Sequence, residues 1–351
     1  MSSVILEHIR KSYGNKTVLE DINLSIERGE LFTILGPSGA GKTTLLRIIA
    51  GLEKQDSGHV IFDDEIVDDL EPHDRRVAMV FQIPTLYPHL RIYDNIAIPL
   101  VRGKERISKS EVKERVTRIV KLLQIDDLLY KYPSQLSGGE KQRVMLAKAL
   151  VRNPRVFLLD EPLSNVDAML RLEMRIEIAK IQKKLNVTTI YVTHNQAEAL
   201  SLGDRVGILM QGKLMQIGKP EEIYSMPENI DVAKFIGSPG MNIVEGELRN
   251  GSLFVFGTKI TEIDCDANGK VLVGFRPENV ILSRNGIEGE VVLKEFCGDF
   301  CILYVKIRDD IIAIKNYGSL SCEIHNTVYF YIPSNRVYIF TLNEGRRIWP
   351  R

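Results

Sequence analysis

Four uninterrupted apolar runs set the rhythm of the first two thirds of the chain: LFTILG (31–36), VAMVF (77–81), VFLLD (156–160) and TTIYVT (188–193). None alternates apolar with polar positions, so each predicts a strand covered on both faces. Helix-like stretches intervene, which predicts an α/β layered domain around a largely parallel sheet. One stretch, SKSEVKERVTRIVKLLQI (108–125), opens with a Ser108–Glu111 capping box and places Val112, Val116, Ile119, Val120 and Leu123 on one face. It is an amphipathic helix lying between two strands, so it predicts an inserted helical lobe over about residues 83–153. RVGILM (205–210) and KLMQIG (213–218) flank Gln211-Gly212 and predict a hairpin that closes the domain.

The pattern changes after Gly237-Ser238-Pro239-Gly240. Short β-like runs follow at close spacing, and Asn250-Gly251 between two of them signals a tight hairpin. Such strands predict a small barrel rather than more α/β structure. The expected division is 1–236 and 237–351.

Composition narrows the classes. Lys plus Arg and Asp plus Glu are both 46 of 351 residues. Zero net charge gives no reason to expect nucleic acid as the ligand, since phosphate-backbone binders carry a basic excess. The apolar fraction of 44% is ordinary for a soluble protein, and no apolar run is long enough to span a bilayer. The first residues lack the basic-then-apolar order of a secretory signal. Cys265, Cys297, Cys301 and Cys322 form no CxxC pair and have no His at ligand spacing, which predicts reduced thiols in a cytosolic protein.

Candidate chemistry begins at Gly36-Pro37-Ser38-Gly39-Ala40-Gly41-Lys42-Thr43, a complete GxxxxGK[ST] phosphate loop between a predicted strand and a predicted helix that continues with Thr44. Its glycines let successive amides turn inward on a phosphate, and the helix N-terminus adds a favourable dipole. Lys42 can reach the β- and γ-phosphates, and the Thr43 hydroxyl can ligate Mg2+. Asp160, ending an apolar strand, can hold the same ion. Glu161, one residue on, is placed to polarise an attacking water. Leu136-Ser137-Gly138-Gly139-Glu140 precedes the helical EKQRVMLAKALV and is a second anion-binding helix terminus.

With that segment the chain resembles the ATP-binding-cassette (ABC) family. The resemblance implies ATP and Mg2+ as cofactors, a P-loop domain with a helical lobe and an all-β domain of oligonucleotide/oligosaccharide-binding type. It also implies that the Ser137, Gly138 and Gly139 cradle closes on the γ-phosphate held by a second subunit, a homodimer or a close paralogue. Tyr13 matches the aromatic that stacks on adenine. Gln82 matches the residue that senses the γ-phosphate, helps hold the ion and links to membrane subunits. Ser164-Asn165-Val166-Asp167 matches the loop that crosses the dimer interface, and His194 the switch that contacts the γ-phosphate. Glu140 stands where the family has Gln, Val166 where it usually has Leu, and Asn195 where Asp is common.

Leu86-Tyr87-Pro88-His89, the segment 235–242 (FIGSPGMN) and Gly274-Phe275-Arg276-Pro277-Glu278 resemble the branch that powers import of maltose, trehalose and glycerol-phosphate. That implies integral membrane permease partners, an extracytoplasmic solute-binding protein acting indirectly, and a place on the cytoplasmic face of the membrane. A small-molecule or protein regulator of the β domain is an added role. Iron, phosphate, polyamine or molybdate importers have similar layouts. Soluble cassettes of DNA repair or translation carry a coiled-coil insertion or two cassettes, and this sequence has neither.

Overall fold

The computed structural model describes residues 2–82, 86–102, 107–164, 166–263, 268–318 and 323–350. The chain divides into two compact units, Met1–Pro220 and Glu221–Arg351.

In the first unit the four predicted strands are all present. Val77–Val80, Val156–Asp160, Thr188–Thr193 and Leu31–Leu35 lie side by side and parallel, followed by Arg205–Met210 and, antiparallel, Lys213–Gly218. The middle strands Leu31–Leu35, Val156–Asp160 and Thr188–Thr193 are buried along their whole length, which is why they read as continuous apolar runs. Strands Val4–Tyr13, Lys16–Ile26, Ser57–Phe62 and Glu65–Ile66 form a separate antiparallel sheet. Its inward residues Leu6, Leu19, Ile22 and Val60 pack with Leu45, Leu46 and Ile49 of the helix Lys42–Ala50.

The other face of the parallel sheet is covered by the expected lobe. Helices Ile92–Val101, Lys109–Leu122 and Gly138–Leu150 place Ile96, Val116, Ile119 and Val144 in one core with Phe157 and Leu159. Among the described residues, the lobe therefore shares its core with the sheet. The capping box expected at its second helix is half made. Ser108 Oγ accepts from Glu111 N at 3.2 Å, but the Glu111 carboxylate takes the guanidinium of Arg115 one turn on. An i,i+4 ion pair outcompetes the neutral backbone N–H that a box would use.

The second unit holds two antiparallel sheets. One runs Thr258–Glu262, Ser252–Val255, Asn242–Arg249, Gly269–Phe275, Val337–Phe340, Arg347–Trp349; the other Ile281–Ser283, Thr327–Tyr331, Ile287–Phe296, Phe300–Ile307, Asp310–Tyr317. The strands expected in a small barrel are thus shared between two sheets, with one core that includes Val244, Val273, Phe275, Val291, Val305 and Phe330. Asn250 and Gly251 have φ of 47° and 73° and join Arg249 to Ser252, the predicted tight turn.

The division falls sixteen residues before the expected boundary at 237. Helices Pro220–Ser225 and Ile230–Phe235 continue the α-rich pattern of the first unit, yet they are held by the second. Arg276, buried at 1% exposure, donates to the carbonyls of Tyr224, Ala233 and Ile236. Ala233 packs on Met241 and Phe340, and Arg347 N donates to Glu228 O at 2.9 Å. The 235–242 and 274–278 segments are two halves of this one clasp.

Candidate nucleotide site

Parallel strands end at the same edge of a sheet, so residues far apart in sequence converge there. Leu35 pairs with Thr193, Asp160 with Val192, and Val80 with Leu159. Hence the phosphate loop, Gln82, Asp160–Glu161 and His194 all leave the sheet at one carboxyl edge.

The loop 36–41 has the shape its glycines permit. Gly39 and Gly41 sit at φ of 80° and 102°, where other residues are strained. A Cβ on Gly36 would meet Leu209 O at 2.0 Å, and one on Gly41 would meet Val18 O at 2.8 Å. The helix that follows has no side-chain cap and no acid in its first turn, so its leading amides and dipole are left for an anion. Pro37, Ser38 and Gly39 are exposed, Ala40 is buried, and Thr43 and Thr44 are half-buried.

Lys42 is 5% exposed. Its Nζ donates to Gly36 O and Pro37 O, both at 3.0 Å, and lies 3.7 Å from Glu161 Oε1. Burial pushes the Lys42 pKa down, and the nearby Glu161 and Asp160 charges pull it back up. Asp160, also buried, is pushed up by desolvation, while the hydrogen bond from Thr43 opposes it. Thr43 Oγ1 donates to Asp160 Oδ1 at 3.0 Å across 117 residues of sequence. Glu161 has φ of 45°, the left-handed region, with its N–H on Val192 O at 2.9 Å. Its Oε2 meets His194 Nδ1 at 2.8 Å. Lys42, Thr43, Asp160, Glu161 and His194 thus form one connected cluster.

The remaining expected residues lie around it. Gln82 is exposed just beyond the strand beside Asp160. Tyr13 ends the strand Val4–Tyr13, 47% exposed, with Lys11 Nζ 5.1 Å from its ring centroid. Its hairpin partner strand carries Val18, whose carbonyl would lie 2.8 Å from a Cβ on Gly41 of the phosphate loop. Ser137, Gly138 and Gly139 open the helix Gly138–Leu150, where Ser137 Oγ accepts from Glu140 N and Glu140 Oε2 accepts from Ser137 N at 2.7 Å. Glu140 therefore performs the cap that a Gln would, with a charge added. Asp167 caps Ala168–Leu185 by accepting from Leu170 N at 3.0 Å. Asn195 caps Gln196–Leu202 through Glu198 N at 3.2 Å. Asn serves this purpose as well as Asp, so the substitution leaves the cap intact. Asn165, Cys265 and Cys322 lie outside the described residues.

One supporting residue had no signal in the sequence. Arg75, 2% exposed, donates to Ile48 O and Ile49 O at the end of the phosphate-loop helix and to Asp68 O and Leu70 O. It places a cation where the helix dipole is negative, which favours the opposite end as an anion site. Gly51, at φ 75°, leaves it room, since a Cβ there would meet Arg75 Nε at 2.7 Å. A hydrogen-bond partner 27 residues away has no local pattern to announce it.

Residues 19–164 match the ABC transporter family. The chain is 41% identical, over 99% of its length and 96% of the relative's, to the maltose/maltodextrin import ATP-binding protein of Vibrio cholerae. It is 46% identical, over 98% of its length and 86% of the relative's, to the trehalose import ATP-binding protein of Mycobacterium tuberculosis. Among solved structures, a dimeric ATP-binding cassette in a post-hydrolysis state with ADP and phosphate is 32% identical with a TM-score of 0.55. It covers 62% of this chain and 98% of that one. A Clostridium perfringens protein that is part of an ABC transporter complex is 30% identical with a TM-score of 0.59, covering 64% and 90%. With the two import relatives matching 98–99% of its length, and with the cluster at the sheet edge, the chain belongs to the ABC transporter family as one of its ATP-binding proteins.

Proposed function

We propose that this chain is the ATP-hydrolysing subunit of an importer for a sugar or sugar derivative, working at the cytoplasmic face of the membrane on permease subunits it does not contain. The observation that carries the reading is the Lys42–Thr43–Asp160–Glu161–His194 cluster, in which every group has a role in phosphoryl transfer. ATP stacks its adenine on Tyr13 and lays its phosphates on residues 36–44. Lys42 exchanges its two loop carbonyls for phosphate oxygens, which compensate its burial better. Thr43 and Asp160 offer hard oxygen donors 3.0 Å apart, which suits Mg2+, with Gln82 beside them. Bound there, the ion would neutralise charge on the phosphates. Glu161 takes the proton of the attacking water, and His194 orients that carboxylate and meets the γ-phosphate. Ser137, Gly138, Gly139 and Asp167 of a second copy complete the site. Loss of the γ-phosphate removes the bridge between copies and lets them part.

No described helix is long and apolar enough to cross a membrane, so the proposed transport requires partner subunits. The import names of the relatives support the sugar assignment, and the β-rich second unit is where a regulator would act. Two measurements test the reading. Glu161→Gln should keep ATP affinity and slow hydrolysis by about 10²–10⁴-fold, with an ATP-bound dimer accumulating on gel filtration; a near-normal rate would remove Glu161 as the base. In the reconstituted complex a carbohydrate or glycerol-phosphate should stimulate hydrolysis. Stimulation by an inorganic ion or polyamine instead would sink the sugar assignment alone.

A further inference from the structure

Beyond the residues assigned above, the loop that carries His194 is built on a buried carboxylate. Glu198, 3% exposed, lies in the helix Gln196–Leu202 just after His194. Its Oε2 accepts from the Tyr191 hydroxyl at 2.8 Å and the Thr193 hydroxyl at 2.9 Å, both on the strand just before His194. Asn195 N donates to that same Thr193 oxygen at 2.9 Å, and Asn195 Oδ1 accepts from Glu198 N. Strand, His194 turn and helix are therefore tied to one carboxylate, and the turn cannot move without it.

The second oxygen of Glu198 faces another element. Its Oε1 lies 3.9 Å from Arg171 Nε, on the first turn of the helix that Asp167 caps. Arg171 Nη2 donates to Val166 O at 2.9 Å, immediately before Asp167. One turn on, Arg175 Nη1 donates to Ala197 O at 3.0 Å, a second stitch between the same two helices. Arg171 Nε is sealed from solvent and makes no hydrogen bond among the described residues. A buried guanidinium N–H without an acceptor is unfavourable, and a shift of about 1 Å would bring the Glu198 oxygen into hydrogen-bond reach. The pair is slack here and tightens if either helix moves toward the other.

We propose that Arg171 and Glu198 couple the His194 turn to the Asp167 loop within one chain, both acting as positioning residues. The inference rests on the roles given above to His194 and Asp167. His194 reports on the chain's own nucleotide and Asp167 faces that of the second copy. Closure of the Nε–Oε1 gap therefore makes the state of one site felt at the other. Neither side chain touches substrate, so their loss lowers turnover through geometry and leaves ATP binding in place.

The test is steady-state ATP hydrolysis by the full-length chain carrying Arg171→Met, Glu198→Gln, both together, or His194→Ala. Each single change is expected to lower kcat about tenfold with KM moved less than about twofold. The double variant should be no slower than the slower single, because both break one link. Arg171→Lys should recover part of the rate by restoring the charge without the fork. A double variant whose loss is the product of the singles overturns the coupling, as does a raised KM at normal kcat. Normal rates in both singles with His194→Ala inactive overturn the coupling and keep the proposed site. A normal rate in His194→Ala overturns the site reading and the coupling with it. Should Glu198→Gln not fold, the Arg171 variants decide alone, since Arg171 is partly exposed and Met preserves its stem.

Discussion

Two helix N-termini in the first unit share a glycine-rich approach and differ in everything else. The helix Lys42–Ala50 starts from a left-handed Gly41, has no side-chain cap and has no acid in its first turn. The helix Gly138–Leu150 starts from Ser137 in extended conformation, closes a full capping box and carries Glu140 in its first turn. In the first, no side chain caps the leading amides, and a buried lysine sits at the mouth on two loop carbonyls and near the Glu161 carboxylate. In the second, Ser137 Oγ already takes the Glu140 amide, and a negative charge sits in the first turn. The first end gains from taking an anion by itself. The second is partly capped and carries an acid, so it gains less from an anion than the first. The difference fits the proposed division of labour, in which one terminus binds and the other completes a site shared by two copies.

Three changes would break or sharpen that contrast. The largest effect is expected from Gly138→Asp. A Cβ at Gly138 meets nothing within 4 Å, whereas at Gly139 it would meet Leu170 at 2.7 Å, so Gly138 accepts the change without distortion. A carboxylate there repels the γ-phosphate of the partner's ATP. Hydrolysis should fall by about 10²–10³-fold while the same chain binds ATP normally. Full activity in this variant would mean the second terminus takes no part in the site.

Next is Lys42→Ala, which acts at the binding terminus. Losing one charge-assisted contact should weaken ATP affinity about ten- to a hundredfold, read by titration with a fluorescent ATP analogue. Unchanged affinity would erase the distinction between the two helix ends.

The smallest effect is Glu140→Gln, which keeps the cap and removes the charge. Hydrolysis at low ATP should rise about two- to fivefold, less in high salt, because a first-turn acid no longer opposes the phosphate. The same variant has a pH signature. The hydrogen bond from Ser137 N holds the Glu140 carboxyl below the usual glutamate range. A lowered folded-state pKa contributes stability above the unfolded value and loses it as pH falls through the folded one. The wild-type melting temperature relative to Glu140→Gln should therefore drop on acidification below the ordinary glutamate pKa. A constant difference between pH 7 and acid would show that Glu140 carries no such bond.

Much of this site was legible because its parts are short. The phosphate loop and Asp160-Glu161 are contiguous residue patterns, and the Ser137–Glu140 cap and the Asn250-Gly251 turn depend on interactions within about four residues, so each leaves a pattern in the sequence itself. The parallel sheet was legible too, since strands buried on both faces leave no polar alternation. Where sequence reading went astray, a local rule met a stronger non-local partner. Glu111 left its capping box for Arg115. Helices Pro220–Ser225 and Ile230–Phe235 look like a continuation of the α/β unit, but Arg276, 52 residues beyond Tyr224 and 43 beyond Ala233, holds them to the β-rich one.

By itself, then, the sequence determined the chemistry available to this protein: which residues can cradle phosphate, hold a divalent cation, accept a proton and cap a helix. Only the tertiary structure decided which of them meet. Thr43 reaches Asp160, His194 reaches Glu161, Arg75 caps a helix it does not belong to, and Arg171 stops 3.9 Å short of Glu198. These contacts depend on the order and register in which buried strands pair. That order is set by the burial of whole faces, and burial is proportional to area and blind to sequence separation.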